Sequence, residues 1–167
     1  MKTLIIPGYS TKNKDWAYEV KKELQGFDIN IYEWKHWSDP NIKFSARDEA
    51  KNIKNIVGEE SINIIAKSVG TLVISLAIAK EKLNVNKIIF CGIPINDISD
   101  DEKGEYRILS DIPSEKVIVF QNSEDEHGSF ESLRRFLSQI NPNIEIKETP
   151  GSTHNYPYFD KFEEFLR

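Results

Sequence analysis

Residues 61–83 read SINIIAKSVGTLVISLAIAKEKL. Ser61–Ala66 is a short, Ile-rich apolar run, which is strand grammar. From Ser68 to Leu83 the chain is apolar almost all round, through Leu72, Val73, Leu76, Ala77 and Ile78, and this predicts a heavily buried helix. A buried strand passing straight into a buried helix belongs to a sheet covered on both faces.

Working outward, five more short runs share this grammar: Thr3–Pro7, Asp28–Trp34, Lys87–Ile93, Lys116–Phe120 and Asn143–Lys147. Each is rich in Ile or Val and bounded by Gly, Pro, Asn or Ser. Helical patterns lie between them. Trp16, Val20 and Leu24 are spaced by four, and Gly26 closes that helix. Phe44, Ala50, Ile53, Ile56 and Val57 suggest another, ending at Gly58. Ser129 can cap a helix carrying Phe130, Leu133, Phe136, Leu137 and Ile140 on one face. Phe159, Phe162, Phe165 and Leu166 form a last amphipathic set. Strands alternating with helices predict an α/β architecture, a mainly parallel sheet with helices on both faces. Residues 1–167 read as one domain, without linker, repeat or low-complexity tract. The least patterned stretch is Asn96–Ser114, with charges clustered at Asp100-Asp101-Glu102-Lys103. A solvated excursion is expected there, with a mobile flap over a site as the alternative.

Composition narrows the function classes. Of 167 residues, 39% are hydrophobic and 29% charged, enough for one packed core. With 22 basic and 27 acidic residues the net charge is −5, which gives no general attraction for nucleic acid or anionic lipid. One cysteine excludes an internal disulfide framework, and with three histidines leaves little for a zinc cluster. That balance fits a cytoplasmic setting. Leu4-Ile5-Ile6 breaks at Pro7-Gly8, too short for a signal-peptide core, and no run approaches the roughly 18 apolar residues of a membrane span.

Parallel sheets bind ligands beyond the carboxyl ends of their strands, so the residues just after each run matter most. They include a serine, an acid and a histidine. Ser68 stands between strand and helix with small residues two before and two after it, Ala66 and Gly70. A nucleophile elbow is built this way, so that the hydroxyl is presented beside a helix N-terminus. A plain N-cap serine is the alternative. Asp125 follows the fifth run, with Glu124 as rival and Asp97 and Asp100 as weaker ones. His154 lies in the Gly151-Ser152-Thr153-His154 loop after the sixth, with His127 as rival. The N–H groups of Tyr9, after the first run, and of Val69, after the serine, can hold an oxyanion. His36 and Trp37, after the second run, are expected to line a substrate pocket or pack on aromatics. Cys91 reads as core, and Lys67 is rejected as the base because neighbouring residues at an elbow point to opposite sides.

With the order Ser68…Asp125…His154 in place, the chain resembles the α/β-hydrolase superfamily over nearly its whole length. It is most similar to the small, lid-poor serine hydrolases typified by YdeN and the retinoblastoma-binding hydrolase. Ile5-Ile6-Pro7-Gly8-Tyr9 resembles the first strand and oxyanion loop, although Pro7 stands where many members have His. Ala66-Lys67-Ser68-Val69-Gly70 resembles the elbow, with Ala66 in place of the usual Gly, and Ser123-Glu124-Asp125 resembles the acid loop. The resemblance implies six parallel strands in the order 2-1-3-4-5-6 and no cap domain. It also implies a serine hydrolase acting on a small-molecule acyl ester or related acyl compound, with no metal or organic cofactor. With loops alone covering the site, it should be shallow and favour acetyl to butyryl esters. A catalytically silent binding protein of the same fold is the alternative. A nucleotide-binding enzyme ranks low, since the glycine-rich phosphate loops are missing.

Overall fold

A computed structural model describes all 167 residues. Six strands form one sheet: β1 (Lys2–Ile6), β2 (Asp28–Ile31), β3 (Ile62–Lys67), β4 (Val85–Cys91), β5 (Val117–Asn122) and β6 (Glu145–Thr149). Every neighbouring pair is parallel, and the order is β2-β1-β3-β4-β5-β6. All six runs read from the sequence are strands, in the implied order. The interior strands β3 and β5 are buried at every position, which is why their runs are mostly apolar, Asn63 being the one polar residue inside them.

The helices are α1 (Lys12–Glu23), α2 (Lys35–Ser38), α3 (Ala46–Val57), α4 (Val69–Glu81), α5 (Asp100–Glu105), α6 (Phe130–Ser138) and α7 (Phe159–Leu166). One face of the sheet carries the larger core, where β3 and β4 meet α3, α4 and α6 through residues such as Ile64, Phe90, Ile53, Leu72 and Leu133. The other carries Trp16 and Val20 of α1 and Phe162 and Leu166 of α7 against Ile65, Ile89 and Phe120. α4 runs through the middle with eight consecutive buried residues, Gly70–Ala77, as its uniform apolarity predicts. Ser129 caps α6 by accepting the Ser132 N–H at 3.2 Å. No helix is long and apolar enough to cross a membrane.

Asn96–Ser114 departs from expectation. Its Asp100 and Asp101 are exposed, as the charge cluster suggests, but the segment is more structured than a solvated excursion. Ser99 and Glu102 form a reciprocal capping box that starts α5. A 3₁₀ turn over Tyr106–Asp111 follows, with Tyr106 and Leu109 fully buried. The Tyr106 hydroxyl lies 2.7 Å from Thr71 Oγ1, fastening the segment to α4. This packed connection occupies the β4–β5 crossover, and no cap domain is inserted there.

Candidate active site

Ser68 is the hinge between β3 and α4. Its backbone has φ 54° and ψ −127°, the left-handed side of the map, where a non-glycine residue costs about 1–3 kcal/mol. Its side chain makes no capping hydrogen bond, so it is not an ordinary N-cap serine. The small flanking residues have a visible cause. A Cβ on Gly70 would stand 2.6 Å from the Ile6 carbonyl oxygen and 2.8 Å from that of Pro7, and Ala66 is fully buried. The Ser68 carbonyl accepts from the Thr71 N–H at 2.9 Å and the Thr71 hydroxyl at 2.7 Å. That turns the other end of the same trans peptide, the Val69 N–H, away from the helix. No acceptor within the chain meets it.

The Tyr9 N–H is oriented by the same logic. Trp34 Nε1 donates to the Gly8 carbonyl at 2.9 Å, and this fixes the Gly8–Tyr9 peptide from the carbonyl side. The Tyr9 carbonyl accepts from His36 Nε2 at 2.9 Å and from Trp37 Nε1 at 2.8 Å. The Tyr9 ring stacks on His36 with centroids 4.4 Å apart. Tyr9, Ser68, Val69 and His154 all line one cleft of about 1180 Å³. His36 and Trp37 do not line it. α2 turns both rings onto the β1–α1 loop, where they hold the Tyr9 carbonyl and His36 packs against the Tyr9 and Phe44 rings.

Asp125 and His154 meet at the carboxyl ends of β5 and β6. His154 Nδ1 lies 2.6 Å from Asp125 Oδ2. Tyr156 donates its hydroxyl to the same oxygen at 2.5 Å, and the His127 N–H donates to Oδ1 at 2.9 Å. Burial pushes the Asp125 carboxyl up. The hydrogen bonds of His154 and Tyr156, the nearby imidazole charge and the His127 N–H outweigh it and hold the carboxyl below its ordinary value. An ionised carboxylate at Nδ1 requires the proton there, which leaves a lone pair on Nε2. That Nε2 is buried and without a hydrogen-bond partner.

Glu124, the rival acid, is exposed. His127, the rival base, is paired through Nδ1 with Asp97, and Asp100 lies in the first turn of α5. Cys91 is fully buried, and burial pushes its thiol up.

Three further residues support the site, and the only local signal for any of them is an aromatic two positions after His154. Tyr156 is fully buried, and its oxygen also accepts the Asn122 N–H at 3.2 Å. Asn122 Nδ2 donates to the carbonyls of Thr153 at 2.7 Å and Asn155 at 2.9 Å, bracketing His154. Gln121 accepts the Ile93 N–H at 3.0 Å and donates to the Gly128 carbonyl, tying the loop after β4 to the acid loop. Gly92 makes room, because a Cβ there would stand 2.8 Å from His154 Cε1.

The cleft is roomy for a site covered by loops, at about 1180 Å³. Small-molecule pockets commonly span roughly 300–1,000 Å³. Here the packing of the Asn96–Ser114 segment supplies a wall, with Ile98 and Glu102 facing Phe44 and Ala46 at the start of α3. The arrangement places a strained serine, an oriented imidazole with a free nitrogen and two unpartnered N–H groups around one cleft of mixed polar and apolar lining.

No family model matches the chain, and no curated protein is recognisably similar in sequence. Solved structures are. A lid-less α/β serine hydrolase of Xanthomonas campestris superposes with a TM-score of 0.68 at 14% identity, covering 99% of this chain and 78% of that one. A YdeN-like hydrolase of Pectobacterium atrosepticum gives 0.72 at 14% identity, over 98% and 89%. A carboxylesterase of Nitrososphaera gargenis gives 0.72 at 14% identity, over 99% and 89%. Together with the all-parallel sheet, these matches establish that the chain has the α/β-hydrolase fold, without a cap domain.

Proposed function

We propose that the protein is a serine hydrolase that cleaves a small acyl ester or related acyl compound through an acyl-enzyme, in a cytoplasmic setting. The observation that carries this reading is His154, whose Nδ1 is held by a buried carboxylate while its Nε2 lies buried and unpartnered beside the cleft of Ser68. Ser68 Oγ attacks the acyl carbonyl carbon, and Nε2 takes the hydroxyl proton as the new bond forms. The imidazolium returns that proton to the leaving oxygen as the old C–O bond breaks. Water then attacks the acyl-enzyme, giving a proton to Nε2 and releasing the acid, and the proton goes back to Ser68. Asp125 holds the tautomer and stabilises the imidazolium. The Tyr9 and Val69 N–H groups meet the oxyanion, an effect typically worth about 3–4 kcal/mol per donor. YdeN-type hydrolases are the relatives this reading favours.

The test is labelling with a fluorophosphonate probe, together with turnover of a chromogenic ester series. Wild-type protein should label at Ser68 and turn over, and Ser68→Ala should do neither while keeping its circular dichroism spectrum. Wild-type protein that neither labels nor turns over any ester would make the chain a silent binding module of the same fold.

A further inference from the structure

Lys67 is the last residue of β3 and immediately precedes Ser68. It is only 6% exposed, yet its ammonium makes no hydrogen bond and no ion pair. What it has is the face of Trp16, 5.3 Å from the ring centroid, and one open side, since Lys67 lines the same cleft as Ser68. An ammonium carries three N–H donors and no acceptor, and burying such a group without a partner is costly. A cation–π contact offsets only part of that cost.

We propose that Lys67 is the anion subsite of this cleft, taking a carboxylate carried by the acyl substrate on the α1 side of the serine. This rests on the hydrolase reading above and names its substrate class. The fold has already taken much of the water from this side chain, so an anion reaching the ammonium from the cleft gains a Coulomb interaction less screened than on an open surface. Its surroundings agree. Lys12, in the first turn of α1, faces the same cleft without an ion-pair partner, and the α1 N-terminus adds its partial positive charge. The acids of the cleft do not occupy the site. Asp97 is paired with His127 and Glu102 is spent in its capping box. Glu126 lies 3.6 Å from the His127 imidazole, and Asp15 and Glu19 are exposed on α1. Burial pulls the lysine pKa below its ordinary value, while Cys91 and Asp125 hold it up. Asp125 is engaged by His154 and Tyr156 and makes no salt bridge with Lys67.

The experiment compares two ester pairs, each one charged and one neutral. The p-nitrophenyl monoester of adipic acid against p-nitrophenyl hexanoate puts the carboxylate on the acyl side. 4-Acetoxybenzoate against its methyl ester puts it on the leaving group. Wild-type protein should favour the adipate monoester at least about 10-fold in kcat/KM, and Lys67→Met, or Lys67→Gln if the first folds poorly, should abolish that ratio. The ratio cancels any general loss of rate in the variants. A wild-type ratio near one, a preference confined to 4-acetoxybenzoate, or a ratio unchanged in the variants would overturn the proposal and leave Lys67 an electrostatic support for Asp125. Calorimetric titration of adipate into Ser68→Ala protein, with and without Lys67→Met, reads the subsite apart from turnover. Binding lost with Lys67 supports the subsite even if no ester is cleaved, and no binding counts against it.

Discussion

His154 with Asp125 and His127 with Asp97 form two imidazole–carboxylate pairs whose rings stand 4.4 Å apart at 52°. In the first pair the Asp125 side chain is 0% exposed and the His154 side chain 17%. In the second the values are 49% for Asp97 and 38% for His127. Exposed pairs of this kind contribute little, because water and salt screen them and both side chains must be ordered to meet. The buried pair is fixed by Tyr156, by the His127 N–H and by the Asn122 bracket around the histidine loop. The two pairs share their chemical groups, and what separates them is how many neighbours hold each one in place. His127 serves the buried pair through its backbone, so its side chain can change without disturbing that contact.

The comparison is most easily broken at the histidines. His154→Ala should lower kcat/KM by roughly 10³-fold or more, as expected for loss of a triad base, whereas His127→Ala should stay within about 10-fold of wild type. The reverse ranking, measured on one chromogenic ester, would assign the base to the exposed pair. The carboxylates come next. Asp125→Asn should cost about 10³–10⁴-fold by removing the acceptor that sets the His154 tautomer, and Asp97→Asn less than about 10-fold.

The smallest effect sharpens the comparison by testing what holds Asp125. Tyr156→Phe removes one donor to the carboxylate and leaves the Asn122 N–H without its acceptor, so about 1–3 kcal/mol of stability should go. The pH dependence follows from the sign of the Asp125 shift. A carboxyl held below its unfolded value of about 3.9 binds fewer protons when folded. Its stabilising contribution is therefore complete above that value and is lost as pH falls through the folded one. In Tyr156→Phe the folded value rises, so less of this contribution exists to lose on acidification. Urea unfolding at neutral pH and near pH 3 should show a smaller acid-induced loss for the variant than for wild type.

What the sequence made legible follows the same division between local and distant causes. The six strands and the Ser–acid–His order were readable because each lies in, or just after, a short apolar run. Choosing Asp125 over Glu124 was not a matter of composition. The Asp125 N–H closes a turn onto the Asn122 carbonyl at 3.3 Å, and that turn sends Glu124 into solvent while burying its neighbour. Tyr156, Asn122 and Gln121 act across 28 to 34 residues, beyond the reach of any local pattern. α5 lacks an apolar period and carries Gly104, so only the Ser99–Glu102 capping spacing announced it. For His36, packing on aromatics is the reading that holds, since its ring stacks on Tyr9 and meets Trp37 and Phe44, while position after a strand could not show that α2 also brings His36 and Trp37 to the Tyr9 carbonyl.

The backbone of Ser68 has one more consequence. A left-handed conformation suits glycine far better than serine, so this position trades fold stability for the presentation of one hydroxyl. Ser68→Gly should melt at a higher temperature than Ser68→Ala, which keeps the strain and loses the hydroxyl, and both should be inactive. A lineage released from selection for chemistry would gain stability by a single substitution here. On the hydrolase reading, the strain at residue 68 is what presenting a nucleophile at this turn requires, and thermal stability alone would favour glycine there.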